Sequence, residues 1–429
     1  MILFLLLLLL AFPAEAATTL LPPGKMCLSD QNGAPLTGGT VNFYVPSTTT
    51  PKTTWRDPQQ ISANTNPVVL DSAGCAVVYG EGVYRQIVKD SLGNLVWDQL
   101  TADTSGTAGQ TPAFFNPGGR LTLQSGVPIM SGLGLANATT VYYTPYNGNN
   151  IEVFNGSVLV PYTFLEISLS LDANNTHTGY QQAAKNFDLY IVADTTVAPA
   201  TLRLCSGPAW STDTVRGGAA DITYTTYGFL ANFNTVTCRF GAGVNDILSV
   251  APWKGTFVGT MRASANGQTS MVLRPTPASG GNPPLLYLFN EYNRILMQAT
   301  NVDNGVSYTV TVGVTQRARG NSSGNYIQYI SGDISDAITV VNSRDIITSA
   351  VVNDAGLFCT GVDTVAGCTD SVQVFYRTVA ATSGRLSGQA TLPMASILGF
   401  HTINAVEQST IGTMTFNSLQ GVLSATIRM

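Results

Sequence analysis

The sequence predicts an all-β protein, an N-terminal β-meander domain followed by two β-sandwich-like domains. Short runs rich in β-branched and aromatic residues recur between turn signals along most of the chain. Only 10% of the 429 residues are charged while 44% are hydrophobic, against about 25% charged in ordinary soluble domains. Residues 164–171 read F-L-E-I-S-L-S-L, with Leu165, Ile167, Leu169 and Leu171 on one face and Glu166, Ser168 and Ser170 on the other. That period of two is a half-buried strand. The length exceeds one ordinary core, and no heptad run or fixed repeat marks a coiled-coil shaft or β-helix. A net charge of −5 leaves no basic footprint for nucleic acid.

Residues 1–16 open with an apolar run too short to span a bilayer, then Ala14-Glu15-Ala16, the small-x-small pattern of a signal peptide. The run has no Lys or Arg before it, so a start codon assigned too early is the alternative. Residues 17–102 form the first domain. Asp30-Gln31-Asn32-Gly33, Asp71-Ser72-Ala73-Gly74 and Asp90-Ser91-Leu92-Gly93 each place Asp first and Gly fourth in a type I turn. Between the last two, residues 76–79 and 83–88 read as strands split by Gly80-Glu81-Gly82 as a tight hairpin. Lys52 and Trp55 sit in a Pro- and Thr-rich loop, free to touch a partner or folded over the sheet edge. Residues 103–118 read as a linker with Phe114-Phe115 as a docking point.

A middle β domain spans 119–266, with Asn147-Gly148-Asn149-Asn150 as a hairpin signal and a closing strand at 256–262. The C-terminal β domain spans 267–429. Within it residues 287–299 are the one stretch that suits a short helix, and residues 307–314 and 371–379 suit strands. Cys27 and Cys75, Cys205 and Cys238, and Cys359 and Cys368 fall in three neighbourhoods, each inside one domain. That is the pattern of three local disulfides, although spacing leaves every pairing open and buried free thiols are the alternative.

The set Pro22-Pro23-Gly24-Lys25, Gly38-Gly39-Thr40-Val41-Asn42-Phe43-Tyr44, Thr48-Thr49-Thr50-Pro51-Lys52-Thr53-Thr54-Trp55, Asn66-Pro67-Val68-Val69-Leu70-Asp71, Gly82-Val83-Tyr84-Arg85 and Asn94-Leu95-Val96-Trp97-Asp98 resembles the N-terminal particle-attachment domain of bacteriophage tail fibre and tailspike proteins. Residues 22–98 carry that resemblance. It implies a virion location, a homotrimer, a phage tail or head-tail structural protein as one partner, and a host cell-surface glycan or protein as the other. The leader departs from that family and implies secretion if it is cleaved. A tailspike polysaccharide depolymerase and a secreted prophage-derived adhesin are the rival readings.

No motif calls for a cofactor or a metal. His177 and His401 lie far apart without a third spaced ligand, which leaves a zinc or Ser-His-Asp site without support. No phosphate loop and no nucleophile elbow is present, so the chain reads as a non-enzyme. Paired carboxylates would serve a depolymerase, and Asp333 with Asp336 and Asp363 with Asp370 are neighbours in sequence, although Asp is common in turns. Sugar binding uses aromatic faces. Trp210, Tyr224, Tyr227, Trp253, Tyr326 and Tyr329 are the right residue types for it, and equally for core packing.

Overall fold

The computed structural model describes residues 19–30, 33–101, 117–130, 132–320, 322–347, 355–369, 374–377 and 385–429. The expected leader and nearly all of the expected linker lie outside them. The described chain is all-β, with one three-residue 3-10 turn at Ala318–Gly320. It divides into two compact units, Met1–Phe114 and Phe115–Met429.

In the first unit a four-stranded sheet runs Val68–Val69, Thr40–Tyr44, Arg85–Lys89, Leu95–Leu100, and a second ladder pairs Thr19–Cys27 with Cys75–Gly80. Tyr84, Gln86 and Val88 point inward, and Tyr84 and Val88 join Val41, Phe43, Leu70 and Val78 in one core. The opposite face carries Arg85, whose guanidinium grips Asp98 across the ladder at 2.6 and 2.9 Å. The expected hairpin at Gly80-Glu81-Gly82 does not form. Its two flanking strands pair elsewhere, Cys75–Gly80 with Thr19–Cys27 and Arg85–Lys89 with Thr40–Tyr44, so the glycines carry the chain from one sheet to another. Lys52 is committed internally, donating to the Glu81 and Val83 carbonyls at 2.6 and 3.0 Å. Trp55 exchanges backbone bonds with Tyr79 and so extends the sheet.

The three Asp-x-x-Gly turns form. In each the Gly amide donates to the Asp carbonyl, at 3.0, 2.9 and 3.0 Å in chain order. Each Asp carboxylate also accepts from amides beyond the turn: Ala34 at 2.9 Å, Cys75 at 2.9 Å and Asn94 at 2.8 Å. The Cys75 amide, with that of Ala73, holds the Asp71 carboxyl below its ordinary value. Gly74 and Gly93 both take left-handed φ, 72° and 87°, which a side chain disfavours. A Cβ on Gly93 would meet open space, whereas one on Gly74 would lie 2.7 Å from the Leu28 carbonyl and 2.8 Å from the Leu36 amide.

In the second unit the largest sheet among the described residues has 16 strands, and beside it run a five-stranded, a three-stranded and a two-stranded sheet. The regions on either side of residue 266 share one core, from Leu121 to Met429. Gly255–Ala265, expected as a closing strand, lies inside the large sheet. It pairs with Asn186–Asp194, Gln268–Val272 and Leu288–Asn290. Residues 287–299 are not helical, because Leu288–Asn290 and Leu296–Asp303 are strands joined by a bend. Asn147-Gly148-Asn149-Asn150 likewise turns the chain between sheets. Thr140–Pro145 pairs with Gly119–Thr122 and Ile167–Ser170, while Asn150–Phe154 pairs with Leu159–Thr163. Leu169 and Leu171 of the alternating run are buried, but Leu165 precedes the strand and is exposed.

The structure bonds Cys27 to Cys75, Cys205 to Cys238 and Cys359 to Cys368. Cys27 and Cys75 face each other in register. Cys205 and Cys238 stand on neighbouring strands and are wholly buried. Their sequence separations are 48, 33 and 9, and the loop-closure entropy removed from the unfolded chain rises with that separation.

Unfolding and thiol labelling of the full chain have three expected outcomes. Gly93→Ala costs about 1 kcal/mol through backbone strain alone, and Gly74→Ala costs at least about 2 kcal/mol more, because backbone atoms bar its Cβ. Thiol alkylation in denaturant labels no cysteine before reduction and all six afterwards. Replacing Cys205 and Cys238 together destabilises more than replacing Cys359 and Cys368 together, roughly 3.7 against 2.6 kcal/mol on loop closure.

Candidate functional site

Tyr326–Ser331 and Gly399–Ser409 lie side by side antiparallel, placing Gln328 opposite Thr402 and Tyr326 opposite Asn404. Ala355–Val362 flanks the second of these on its other edge, with Val362 opposite Ile403, and delivers Asp363 and Thr364 just beyond its end. Thr315–Arg317 pairs farther along, Arg317 opposite Val406. These segments enclose an open cleft of about 400 Å³ lined by Arg317, Tyr326, Gln328, Asp363, Thr402 and Asn404, among others.

The polar walls are braced from behind. His401 is buried, with Nδ1 2.6 Å from the Asp363 carboxylate and Nε2 3.0 Å from the Leu398 carbonyl. The Tyr329 ring packs on it at 5.5 Å between centroids. The Thr402 amide donates to the other Asp363 oxygen at 2.8 Å. Burial pushes the Asp363 carboxyl up, but the His401 bond and the Thr402 amide outweigh it and hold the group below its ordinary value. Its side chain is half exposed to the cleft. Asp363 sits in the left-handed region at φ 55°, a conformation that Asp and Asn tolerate. Arg317 lies over the Tyr326 ring at 4.6 Å, donating to Asn404 Oδ1 at 2.8 Å and to the Ser322 carbonyl at 2.7 Å.

Behind the cleft wall the fully buried Glu407 accepts from the Arg319 amide at 2.7 Å, from Gln316 at 3.2 Å and from the Tyr308 hydroxyl. This ties the segment that carries Arg317 to the central strand. Burial pushes the Glu407 carboxyl up to about 7 against the pull of Tyr308 and Arg344.

The structure therefore brings together Asp363, His401, Tyr326 and Tyr329, which the sequence offers only separately. The other candidates part company. Trp210 is a core residue, and the guanidinium of Arg216 covers it at 4.5 Å. Tyr224 is exposed. Tyr227 and Trp253 join Phe154, which the sequence reading missed, in a surface trio with ring centroids 5.6 and 6.2 Å from Phe154. Asp333 and Asp336 share Arg294, at 3.7 and 2.7 Å, so a cation lies where a substrate would have to pass between them. Asp370 lies outside the described residues. His177 is held by Asp172 at 2.8 Å and by Asn174 at 3.1 Å.

Arg317, Gln328, Thr402 and Asn404 also went unnoticed in sequence, since each is an ordinary polar position of an alternating strand. So did Glu291, whose carboxyl burial raises to about 7 and whose Oε2 lacks a hydrogen-bond partner among the described residues.

The fold defines an all-β protein of two compact units. Among the described residues no helix is long and apolar enough to cross a membrane, which leaves strand-built spans unaddressed. No family profile and no curated protein sequence matches the chain. Among solved structures, particles derived from infectious bursal virus align over 96% of this chain and 68% of theirs, at 12% identity and a TM-score of 0.23. The VP2 subviral particle of infectious bursal disease virus aligns over 94% and 70%, at 11% identity and a TM-score of 0.23. A Bacillus thuringiensis Cry1Da tryptic core variant aligns over 68% and 48%, at 9% identity and a TM-score of 0.18. Likenesses at that level carry no functional weight.

The buried acid behind the cleft has a pH signature. The folded value of Glu407 is raised above the unfolded one, so its contribution to stability is fully present below about 4.5 and is lost as pH rises through about 7. Thermal melts from pH 5 to 9 are expected to fall for the wild type across that window by on the order of 3 kcal/mol. Glu407→Gln, which keeps an acceptor for the Arg319 amide, is expected to remove the Glu407 share of the fall and to leave that of Glu291, whose carboxyl burial also raises to about 7.

Proposed function

We propose that the chain is a virion protein of the tail-fibre class, held on the particle by its N-terminal unit and gripping a host-surface receptor with the cleft of its second unit. The observation that carries this reading is the cleft itself. Asp363 and Arg317 both line it, each held by neighbours that do not depend on any ligand, which is preorganisation for binding. The N-terminal resemblance supports the attachment half. So does the strand Leu95–Leu100, which pairs on one side only among the described residues and exposes Leu95 and Leu100, an edge suited to strand addition by a tail protein.

In this reading the protein binds without cleaving, since Asp363 is the one carboxylate lining the cleft among the described residues and glycoside hydrolysis needs two. A homotrimer would present three clefts and multiply a weak single-site affinity. The expected outcome for fluorescent full-length protein is saturable binding to at least one strain of a bacterial panel, no new reducing ends in the medium, and a trimer by sedimentation at micromolar concentration. Absence of saturable binding across the panel would sink the receptor reading. Release of reducing ends would turn it toward a depolymerase.

A further inference from the structure

From the shape and charge of a second groove, apart from the cleft, we infer that the protein binds a fatty acid, its acyl chain along the groove and its carboxylate on Arg274. The inference does not depend on the receptor-binding reading above.

The floor of the groove is Leu296–Asp303, an outer strand of the five-stranded sheet. Met297, Ala299, Asn301 and Asp303 turn into the core, while Leu296, Gln298, Thr300 and Val302 face outward. That outward face runs about 20 Å at roughly 3.3 Å per residue, the reach of a chain rather than of a compact ring. Two recesses lie along it, of about 450 and 560 Å³, both inside the roughly 300–1,000 Å³ range of small-ligand sites. They share Leu133, Arg274 and Gln298 and so adjoin.

The walls are apolar and already in place. The first recess is lined by Ile129, Met130, Leu133, Leu273 and Leu296. The second is walled by Pro275 and Pro277, which have a fixed φ and no N–H to offer a polar ligand. Leu133 is held over the groove because Gly134, at φ 85°, lies against the Met271 carbonyl where a Cβ could not fit. Leu133 and Leu296 stay 63% and 67% exposed. Large aliphatic side chains left bare around a recess mark a site for apolar matter.

Arg274 fixes the head group. It is the one charged residue lining either recess among the described residues, so no carboxylate there offsets it. Its guanidinium donates to Gln298 Oε1 at 3.2 Å, which uses one of five N–H donors. A carboxylate can take two more of them side by side, with the acyl chain lying in the recesses to either side. A neutral head leaves the guanidinium to water, and a cationic head is repelled by it.

The test is calorimetric titration of the full-length protein at pH 8 with octanoate, decanoate and dodecanoate below their critical micelle concentrations. Dodecyl maltoside and dodecyltrimethylammonium serve as the neutral and cationic comparisons. Affinity is expected to rise roughly two- to fourfold per methylene, with dodecanoate the tightest of the three twelve-carbon ligands. Arg274→Gln should weaken dodecanoate about tenfold and leave dodecyl maltoside unchanged, since only the charged hydrogen bonds are lost. Leu133→Asn should weaken both about tenfold. Both side chains are exposed, so melting curves of the two variants should match that of the wild type.

Absence of saturable dodecanoate binding would overturn the assignment. So would equal binding of all three head groups, or binding untouched by either variant. An oligomer that Leu133→Asn dissociates in sedimentation would also overturn it, since a second copy of the chain would then cover the groove.

Discussion

The second unit depends on polar partnership inside a doubly covered sheet. Asn186–Asp194 and Gly255–Ala265 are buried on both faces over nearly their whole length, so the side chains that would face water on a one-sided sheet have no water to face. Several are polar, and each needs a partner in the interior. Asp188 accepts from Thr260 at 2.7 Å and from Arg216 at 2.6 Å, and Arg216 continues to the Gly332 carbonyl at 2.9 Å. Arg262 spans Asn186 and Asp213 at 2.9 and 2.8 Å and stacks on Phe400 at 3.5 Å. Removing one member of such a set leaves a charge buried alone, which costs several times what an exposed pair contributes.

That interior explains why so uncharged a chain places arginines where it does. Arg120, Arg239 and Arg344 are nearly or wholly buried, and the first two bond backbone carbonyls of loops that would otherwise have unmatched acceptors: Pro128, Asn293 and Met429 for Arg120, and Thr178, Gly241 and Gly243 for Arg239. A planar fork with five donors can satisfy several carbonyls at once, which lysine cannot. The cleft is a surface outcrop of the same design. Its Arg317 bonds a carbonyl and an amide, and the strand that carries Asn404 also carries Glu407 into the interior.

How much of this is legible in sequence depends on range. The Asp-x-x-Gly turns are readable because turn geometry, carboxylate caps and the glycine requirement all lie within five residues. The gathering of cysteines into three neighbourhoods is readable from their order along the chain, but separations of 48, 33 and 9 leave the pairings themselves open in sequence. Pairing is not local. Gly80-Glu81-Gly82 and Asn147-Gly148 reverse or redirect the chain equally well whether the next strand returns to its neighbour or joins another sheet, so the turn signal cannot choose. Residues 287–299 look helical because a three-residue buried strand, Leu288–Asn290, a bend and the head of a second strand, Leu296–Asp303, follow one another too closely for either period to show. The site is less legible still. Asp363 and His401 are separated by 38 positions and meet only through adjacent strands. Trp210 and Tyr224 are alike as residue types, yet one is core and the other exposed.

The contrast between the two acidic groupings decides what kind of site the second unit can hold. Asp333 and Asp336 are drawn onto one guanidinium, and their oxygens also serve the turn they sit in, as when Ser335 and the Ile334 amide donate to Asp333 at 2.5 and 2.6 Å. Such carboxylates are already engaged before any ligand arrives. Asp363 differs, because its partners approach from the protein side and leave the opposite side of the carboxylate open to the cleft. The groups beside it include amides, hydroxyls, a guanidinium and a phenol ring, which on the proposed reading recognise a polar ligand without moving a proton onto a leaving group. On that reading the strength of one such contact set is modest because water competes for every bond in it. On the proposed reading, copy number rather than any single contact makes adhesion firm.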